Sequence, residues 1–275
     1  MTVPGATGSG TGGPATGGAG VRILHLYPRE LGINGDRGNV TVLARRARWL
    51  GLEPVVLEHP PGSGELPDAD IVVVGSGPLS AMRTVHADLL SHAARLRGLV
   101  AGGAALLAVS GGMHLLGHEV ALDDANVLEG AGVLPIRTVL TAKRSVGDLV
   151  VGTSDGVLVG YENHGSRVSL IGGAQPLGSV RSGFGNGGVG GGEGVRVGAA
   201  IGTHLGGPVL ALNPALADEL LAAALARSGR TMPGAPVAEG DGESRNAFPA
   251  HSSLVLIDEW ARRARETVEA HPSSY

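Results

Sequence analysis

Two short apolar runs, each followed at once by small residues, constrain the fold of this chain most. They lie at 69–77 (ADIVVVGSG) and 104–109 (AALLAV), and nearly every residue in them is apolar. Such runs are typical of strands buried on both faces, as in a parallel sheet covered by helices. The neighbouring segments alternate between strand-like and helix-like patterns: a strand at 21–27, a helix at 36–51, a strand at 53–59 and a helix near 82–97. This alternation predicts an α/β fold with a mostly parallel central sheet and flanking helices.

The helix at 36–51 has a recognisable start and stop. Asp36 or Asn39 is suited to cap its N-terminus, and Gly51 follows its last apolar position. A second helix is predicted from the segment NPALADELLAAALAR at 213–227, with proline in its first turn.

Four segments are predicted along the chain. Residues 1–20 are a Gly-rich tail predicted to be disordered, 21–228 form the domain, 229–248 form a polar linker, and 249–275 form an amphipathic tail helix. Within the domain, the pattern after Leu134 changes to short β-rich pieces separated by Gly and Asp, which predicts hairpins. The apolar positions of the tail helix lie on one face: Leu256, Trp260, Ala264 and Val268. Such a face suits docking either on its own domain or on a partner.

Composition excludes several classes of function. The chain has no cysteine, so disulfides, thiolate metal sites and cysteine catalysis are absent. Its net charge of −4 gives no indication of nucleic-acid binding. Residues 1–20 lack both a basic region and an apolar core, so no signal peptide is predicted. The uncharged stretch 99–117 contains five glycines, Ser110 and His114, and a buried strand, turn and helix explain it better than a membrane span. A cytoplasmic location without membrane insertion is expected.

The segment around Ser110 has the pattern of a nucleophile turn. Ala108-Val109-Ser110-Gly111-Gly112 places one small polar residue between a buried strand and a helix, flanked by residues small enough for a tight turn. Backbone N–H groups at the start of such a helix can stabilise an oxyanion. From the residues alone, this pattern fits an acyl-transfer enzyme, and it also fits a glycine-rich corner that has no chemistry.

Several segments, in order, resemble the GatD-like glutaminase subunits of the cobyric-acid-synthase-like class I glutamine amidotransferases. The resemblance covers about 21–227. The matching segments are LHLYPRELGINGDRGNVTVLARRARWLG, VSGGMHLLG, TAKRSVGDLVV, GYENHGS, GFGNGG and IGTHLGGPVLALNPALAD. The resemblance implies a flavodoxin-like class I amidotransferase fold.

The family resemblance also implies a function. GatD-like subunits hydrolyse glutamine and pass the ammonia to MurT, a Mur-ligase-like partner that amidates the α-carboxylate of D-glutamate in the lipid II stem peptide. Related cobyric acid synthases amidate corrin side chains. For this chain, the resemblance implies a MurT-like ligase partner and glutamine or another small carboxylate as ligand. No cofactor or metal is expected on this chain, because ATP and magnesium would belong to the partner.

The chain departs from the family at the two residues that carry the chemistry. Ser110 stands where the family has its catalytic cysteine, and Gly206 stands where it has the catalytic histidine. His204 lies two residues earlier, at a tyrosine position. A thiol with a pKa of about 8.5 is partly ionised at neutral pH, whereas a serine hydroxyl depends on a neighbouring base. Losing one member of such a unit reduces the rate by a factor on the order of 10⁴ to 10⁶.

Other family positions are kept or altered. Arg144 in TAKRS matches the glutamine-binding arginine, although a surface salt bridge is an alternative role. Gly75 and Gly111 match positions whose backbone contacts the substrate, while the acidic segment after the oxyanion turn is changed to GSGPLSAM at 75–82.

Three hypotheses follow from these departures. In the first, Ser110 works with a substitute base. This base is either His204, which shares a strand face with position 206, or His164. Such a chain could also be a Ser110-dependent hydrolase. In the second, glutaminase activity is lost and the chain remains a structural or regulatory partner of the ligase. In the third, the pocket binds a small ligand without catalysis, and Arg144 fits all three.

Overall fold

The computed structural model describes residues 20–233 and 250–273. The predicted tail at 1–20, apart from Gly20, and most of the predicted linker at 229–248 lie outside the described residues. None of the helices within the described ranges is long and apolar enough to cross a membrane.

The helices and strands follow the alternation expected from the sequence as far as β4. The helices are α1 (Arg37–Trp49), α2 (Leu79–Ala101), α3 (Gly111–Leu116), α4 (Val209–Leu212), α5 (Pro214–Arg227) and α6 (Ala250–Ala270). The strands are β1 (Val21–Leu26), β2 (Pro54–His59), β3 (Ile71–Val74), β4 (Ala105–Val109), β5 (Glu119–Ala121), β6 (Val127–Glu129), β7 (Ile136–Thr153), β8 (Gly156–Leu170), β9 (Gly178–Ser182), β10 (Gly192–Glu193), β11 (Val195–Val197) and β12 (Ala200–Thr203).

A six-stranded sheet forms the centre of the domain, in the order β11-β12-β4-β3-β1-β2. All neighbouring pairs are parallel except β11 and β12. Successive residues of the buried strands face opposite layers: Leu106 packs with α2, whereas Leu107 packs with α1 and α5. The predicted α/β class and its mostly parallel sheet with helices on both faces are confirmed.

A second sheet has the strand order β10-β9-β7-β5-β6. Strand β8 pairs with β7 as a long antiparallel hairpin, as the β-rich pattern after Leu134 predicts. The ladder is interrupted between Leu140 and Ser145, so residues 141–144 leave the regular pairing. Arg144 lies in this irregular segment, and its guanidinium contacts Asn163 on β8.

The predicted capping of α1 is wrong in its chemistry. Asp36 occupies the N-cap position, but neither it nor Asn39 makes a side-chain capping bond. The buried Asp36 carboxylate accepts hydrogen bonds from Ser76 N (2.7 Å) and Ser76 Oγ (2.6 Å) instead. Asn39 Oδ1 accepts one from Leu210 N at 3.1 Å. Both side chains therefore join distant segments, because buried polar atoms take the partners that the tertiary packing offers.

Helix α6 docks on its own domain through a charged contact. The nearly buried guanidinium of Arg46 on α1 donates to both carboxylate oxygens of Asp218 on α5, at 2.8 and 2.6 Å. It also donates to Asp258 on α6 at 2.5 Å. The docked face of α6 includes the buried Leu254 and Ala261. The predicted apolar face is not the docked one, since Leu256 and Trp260 are 46% and 59% exposed.

Replacing Arg46 with methionine should destabilise the protein and release α6. The aliphatic stem is kept, but Asp218 and Asp258 lose their shared partner, and both carboxylates remain partly exposed. We therefore expect the free energy of unfolding to fall by about 1–3 kcal/mol, less than for a fully buried pair. Chemical denaturation measures this loss, and hydrogen exchange should increase most in α6.

Arg45→Met is the matched control for this substitution. Arg45 is the exposed neighbour of Arg46 on α1, and within the described residues it makes no salt bridge. An equal loss of stability in both variants would contradict a specific role for the Arg46 contact.

Candidate active site

Ser110 lies at a sharp turn between β4 and α3. Its backbone adopts φ +46° and ψ −110°, a conformation that is strained for a residue with a Cβ. The turn is anchored by a hydrogen bond from Ser110 N to Thr203 O at 2.8 Å. A Cβ on Gly112 would lie 2.4 Å from Gly75 O, so only glycine fits there. The predicted tight turn is thus present, with Ser110 at its tip.

A cavity of about 260 Å³ opens beside Ser110. It brings together three further residues that the sequence singles out: Gly111, Arg144 and His164. The other lining residues come from the loops after β1 and β3, from the start of α2, from α3 and from the β7–β8 hairpin: Ile33, Asn34, Ser76, Gly77, Pro78, Leu79, Met82, His114, Leu140, Thr141, Asn163 and Gly165.

Gly111 and Gly75 have different places in this arrangement. Gly111 lines the cavity as the first residue of α3, and its N–H therefore has no acceptor within the helix. Gly75 does not line the cavity. A Cβ on Gly75 would lie 2.2 Å from Leu31 O and 2.6 Å from Asp36 Cβ, so its role in the packing is to permit close approach of the backbone.

Arg144 presents its guanidinium at the rim of the cavity. Its Nη2 donates to Asn163 O at 3.0 Å and to Asn163 Oδ1 at 2.6 Å. Within the described residues Arg144 makes no salt bridge, unlike Arg137 on the same strand, which pairs with Glu119. The guanidinium is therefore held in place without a carboxylate, and its remaining donors suit a small carboxylate ligand.

Gly206 is part of the backbone bridge between β8 and the segment after β12. Its N–H donates to Tyr161 O at 2.9 Å, and Tyr161 N donates to Gly206 O at 3.1 Å. A Cβ at this position would lie 3.0 Å from Tyr161 O, so a side chain needs only a small local shift. The position is structurally intact and lacks a functional group.

His204 is completely buried behind the cavity, which it does not line. Its Nε2 lies 3.2 Å from His114 Nε2 and 3.3 Å from Ser166 Oγ. Its ring stacks on that of His164 with centroids 3.9 Å apart. The backbone N–H of His204 donates to the buried Glu193 carboxylate at 2.6 Å. The imidazole is thus committed to a buried cluster.

His164 joins this cluster to the cavity wall. Its Nε2 lies 3.1 Å from Glu162 Oε2, and its Nδ1 lies 2.8 Å from Ser166 Oγ. Glu162 in turn accepts hydrogen bonds from the backbone N–H groups of Phe184 and Gly185 at 2.7 and 3.0 Å. The start of the glycine tract is therefore fixed by a carboxylate.

The electrostatics of the buried cluster keep His114 and His204 neutral. Burial, and secondarily the charge of His164, lower the pKa of His114 to about 3. Burial and the charges of His164 and His114 hold the pKa of His204 well below its usual value. Burial raises the pKa of Glu193 to about 7. Imidazoles with such low pKa values bind a proton weakly, which makes them poor general bases at neutral pH.

The sequence reasoning did not single out several residues of this cluster. Glu162 and Ser166 lie two residues on either side of His164 in β8, so all three point to one face. This period-two pattern around a candidate base is the signal that could have found Glu162 and Ser166. His114 lies four residues after Ser110, one helical turn away. Glu193 sits in the glycine-rich segment and gave no such signal.

Comparisons with known proteins agree with this geometry. Residues 22–214 match the model of the CobB/CobQ-like glutamine amidotransferase domain. The chain is 31% identical over 245 residues to the lipid II isoglutaminyl synthase (glutamine-hydrolyzing) subunit GatD of Staphylococcus aureus (strain N315), covering 88% of this chain and 97% of that protein. It is 30% identical to the GatD subunit of Streptococcus pneumoniae (strain ATCC BAA-255 / R6), covering 74% and 80%.

More distant similarities extend to another enzyme and to solved structures. A cobyric acid synthase of Streptomyces avermitilis is 32% identical over 163 residues, covering 56% of this chain and 29% of that protein. A crystal structure of a glutamine amidotransferase superposes with a TM-score of 0.50 at 20% identity, covering 74% of this chain and 99% of its own, which supports the fold. By the extent of the family match and the near-complete coverage of the Staphylococcus aureus relative, the chain belongs to the CobB/CobQ-like glutamine amidotransferases.

Proposed function

We propose that this protein is the amidotransferase subunit of a lipid II isoglutaminyl synthase-type complex, and that its own glutaminase chemistry is impaired. It binds glutamine or a related small carboxylate in the Ser110 cavity and associates with a MurT-like ligase that amidates the peptidoglycan stem peptide. ATP and magnesium act on that partner, and the present chain uses no cofactor in the reaction. The similarity to two GatD subunits supports the complex and its substrate class.

The cavity has the parts needed to hold glutamine. A ligand carboxylate at the Arg144 guanidinium can place the side-chain amide toward Ser110, since both residues line the same cavity. When the amide carbon is attacked, its carbonyl oxygen becomes an oxyanion, which can accept a hydrogen bond from Gly111 N–H. Binding and orientation are therefore supported by residues that do not depend on the nucleophile.

The observation that carries the proposed impairment is that, within the described residues, the imidazoles of His114 and His164 are hydrogen-bonded to other groups and neither bonds to the Ser110 hydroxyl. Amide hydrolysis by a serine requires transfer of its hydroxyl proton as the C–O bond forms. Gly206 offers only backbone at the family's histidine position. His114 lines the cavity, but its Nε2 is shared with His204 and Ser166, and its pKa is about 3.

A Ser110-dependent hydrolase is the second candidate function. It is favoured by one observation, that His114 and His164 line the same cavity as Ser110. In this alternative, one of these imidazoles, or His204 behind them, accepts the proton directly or through the buried cluster. Labelling of Ser110 by a fluorophosphonate in the isolated chain would support the hydrolase, and an unlabelled Ser110 would exclude an activated hydroxyl.

Ammonia release from glutamine tests the proposed impairment. The wild type, assayed with its ligase partner, should be no more active than Ser110→Ala, because both lack an effective nucleophile. The variant Ser110→Cys/Gly206→His should gain activity by a factor on the order of 10³ or more, since it restores both the thiolate and its base. Wild-type release that Ser110→Ala abolishes would show that Ser110 is a working nucleophile.

Glutamine binding tests the cavity independently of catalysis. Arg144→Ala should weaken the affinity by about 10- to 100-fold, because it removes charged hydrogen bonds to the ligand carboxylate. Isothermal titration measures the affinity, and Arg137→Ala on the same strand is the matched control. A loss of the same size in both variants, or in neither, would contradict the assignment of Arg144.

Association with the ligase tests the subunit role. Ser110→Ala should bind and stabilise a purified MurT-like ligase as well as the wild type does, because the substitution removes one hydroxyl group that lines the cavity and leaves the rest of the surface unchanged. Co-purification and the melting temperature of the complex provide the readout. If neither form binds the ligase, the subunit role is wrong, whatever the cavity binds.

A further inference from the structure

Three metal-ligating side chains converge away from the Ser110 cavity. His59 is the last residue of β2, and Asp88 and His92 lie one turn apart on α2, so both face the same way. One ligand atom from each residue lies within 4.8 Å of the other two. Because 33 positions separate His59 from His92, the sequence alone does not predict this group and gives no metal site.

The distances within the group match the edges of a tetrahedral metal site. His59 Nε2 lies 3.4 Å from His92 Nε2, and His92 Nε2 lies 3.6 Å from Asp88 Oδ2. Two ligand atoms bound to one zinc ion at about 2.0–2.1 Å, at a tetrahedral angle, are separated by ~3.3–3.4 Å. The remaining edge, between His59 and Asp88, is no longer than 4.8 Å.

Direct hydrogen bonding explains this arrangement less well. The nitrogen–nitrogen distance of 3.4 Å exceeds the usual 2.7–3.2 Å range of N–H hydrogen bonds. The two rings meet edge to face at 83°, with centroids 5.1 Å apart. Two imidazole nitrogens that approach without a close bond, beside a carboxylate, are the donor set that zinc prefers.

A second set of contacts fixes the carboxylate. Asp88 Oδ2 accepts a hydrogen bond from the fully buried Tyr27 hydroxyl at 2.7 Å. Asp88 Oδ1 accepts one from the backbone N–H of Gly62 at 2.8 Å. Metal-binding carboxylates are oriented by such outer contacts, which also limit the entropy lost when the ion binds.

The group is shielded but accessible. His59 is buried, whereas the side chains of His92 and Asp88 are 13% and 18% exposed. A surface depression of about 480 Å³, lined in part by His92, lies alongside. An ion can therefore enter, and a water molecule can take the fourth position, as in three-ligand zinc sites.

We propose that His59, Asp88 and His92 form a binding site for a zinc-type divalent ion. The ion would bind His59 Nε2, His92 Nε2 and Asp88 Oδ2, together with one water. It would tie the end of the edge strand β2 to α2 and, through Tyr27, to the end of β1. This site is independent of the Ser110 cavity and of the proposed amidotransferase role.

Titration of the full-length, EDTA-treated and untagged protein with ZnCl₂ tests the site. The wild type should bind one equivalent through this group, and CoCl₂ should give the visible spectrum of a four-coordinate ion. His92→Ala and Asp88→Asn should each weaken this binding by about 100-fold or more, because only two protein ligands remain. Saturating zinc should raise the wild-type Tm by about 5–10 °C and leave that of His92→Ala unchanged.

His86→Ala is the matched control, since His86 lies on the same helix and its Nε2 contacts Glu129 O. It should bind zinc as the wild type does. Circular dichroism of the metal-free proteins confirms that each variant is folded, and Asp88→Asn preserves the shape of the side chain. Absence of zinc or cobalt binding by the folded wild type, or binding unaffected by both His92→Ala and Asp88→Asn, would overturn the proposal.

Discussion

The active-site region depends on one close approach, between the turn after β3 and the first turn of α3. Gly112 packs against the carbonyl of Gly75 at a distance that excludes any side chain. This contact holds the start of α3 against the end of the sheet and forces Ser110 into its strained conformation. The carboxyl ends of β3 and β4 then form one side of the cavity, and the β7–β8 hairpin forms the other. The shape of this side of the cavity therefore follows from backbone packing.

The residues that shape the cavity are different from those that carry the family's chemistry. The turn, the cavity and Arg144 depend on glycines and on hairpin geometry, and all are present. The chemistry depends on a thiol and an imidazole at two positions, and the chain has Ser110 and Gly206 there. Burial keeps His114 and His204 neutral, and their Nε2 atoms contact one another and Ser166 Oγ. The impairment that we propose concerns hydrolysis, and it leaves the residues that line the cavity in place.

The sequence predicted the central architecture because it is encoded locally. The continuous apolar runs that became β3 and β4 cannot be covered unless helices pack on both faces, and the intervening helical pattern supplies them. Ser110, Gly111, Arg144 and His164 were also predicted from sequence, and the fold brings all four to one cavity. The hydrogen-bond partner of the Asp36 carboxylate was not predictable, since Ser76 lies 40 positions away. The docked face of α6 was also missed, because the helix docks through the contact of Asp258 with Arg46 and not through its more apolar face.

By itself, the sequence determined the α/β class and the tight turn at Ser110, because each depends on residue identity within a few positions. Only the tertiary structure decided which side chains meet. It placed His204 in a buried cluster with His114 and His164, paired Gly206 with Tyr161, and brought His59 to Asp88 and His92. These contacts join residues far apart in the chain, and their distances and burial follow from packing, which no local pattern records.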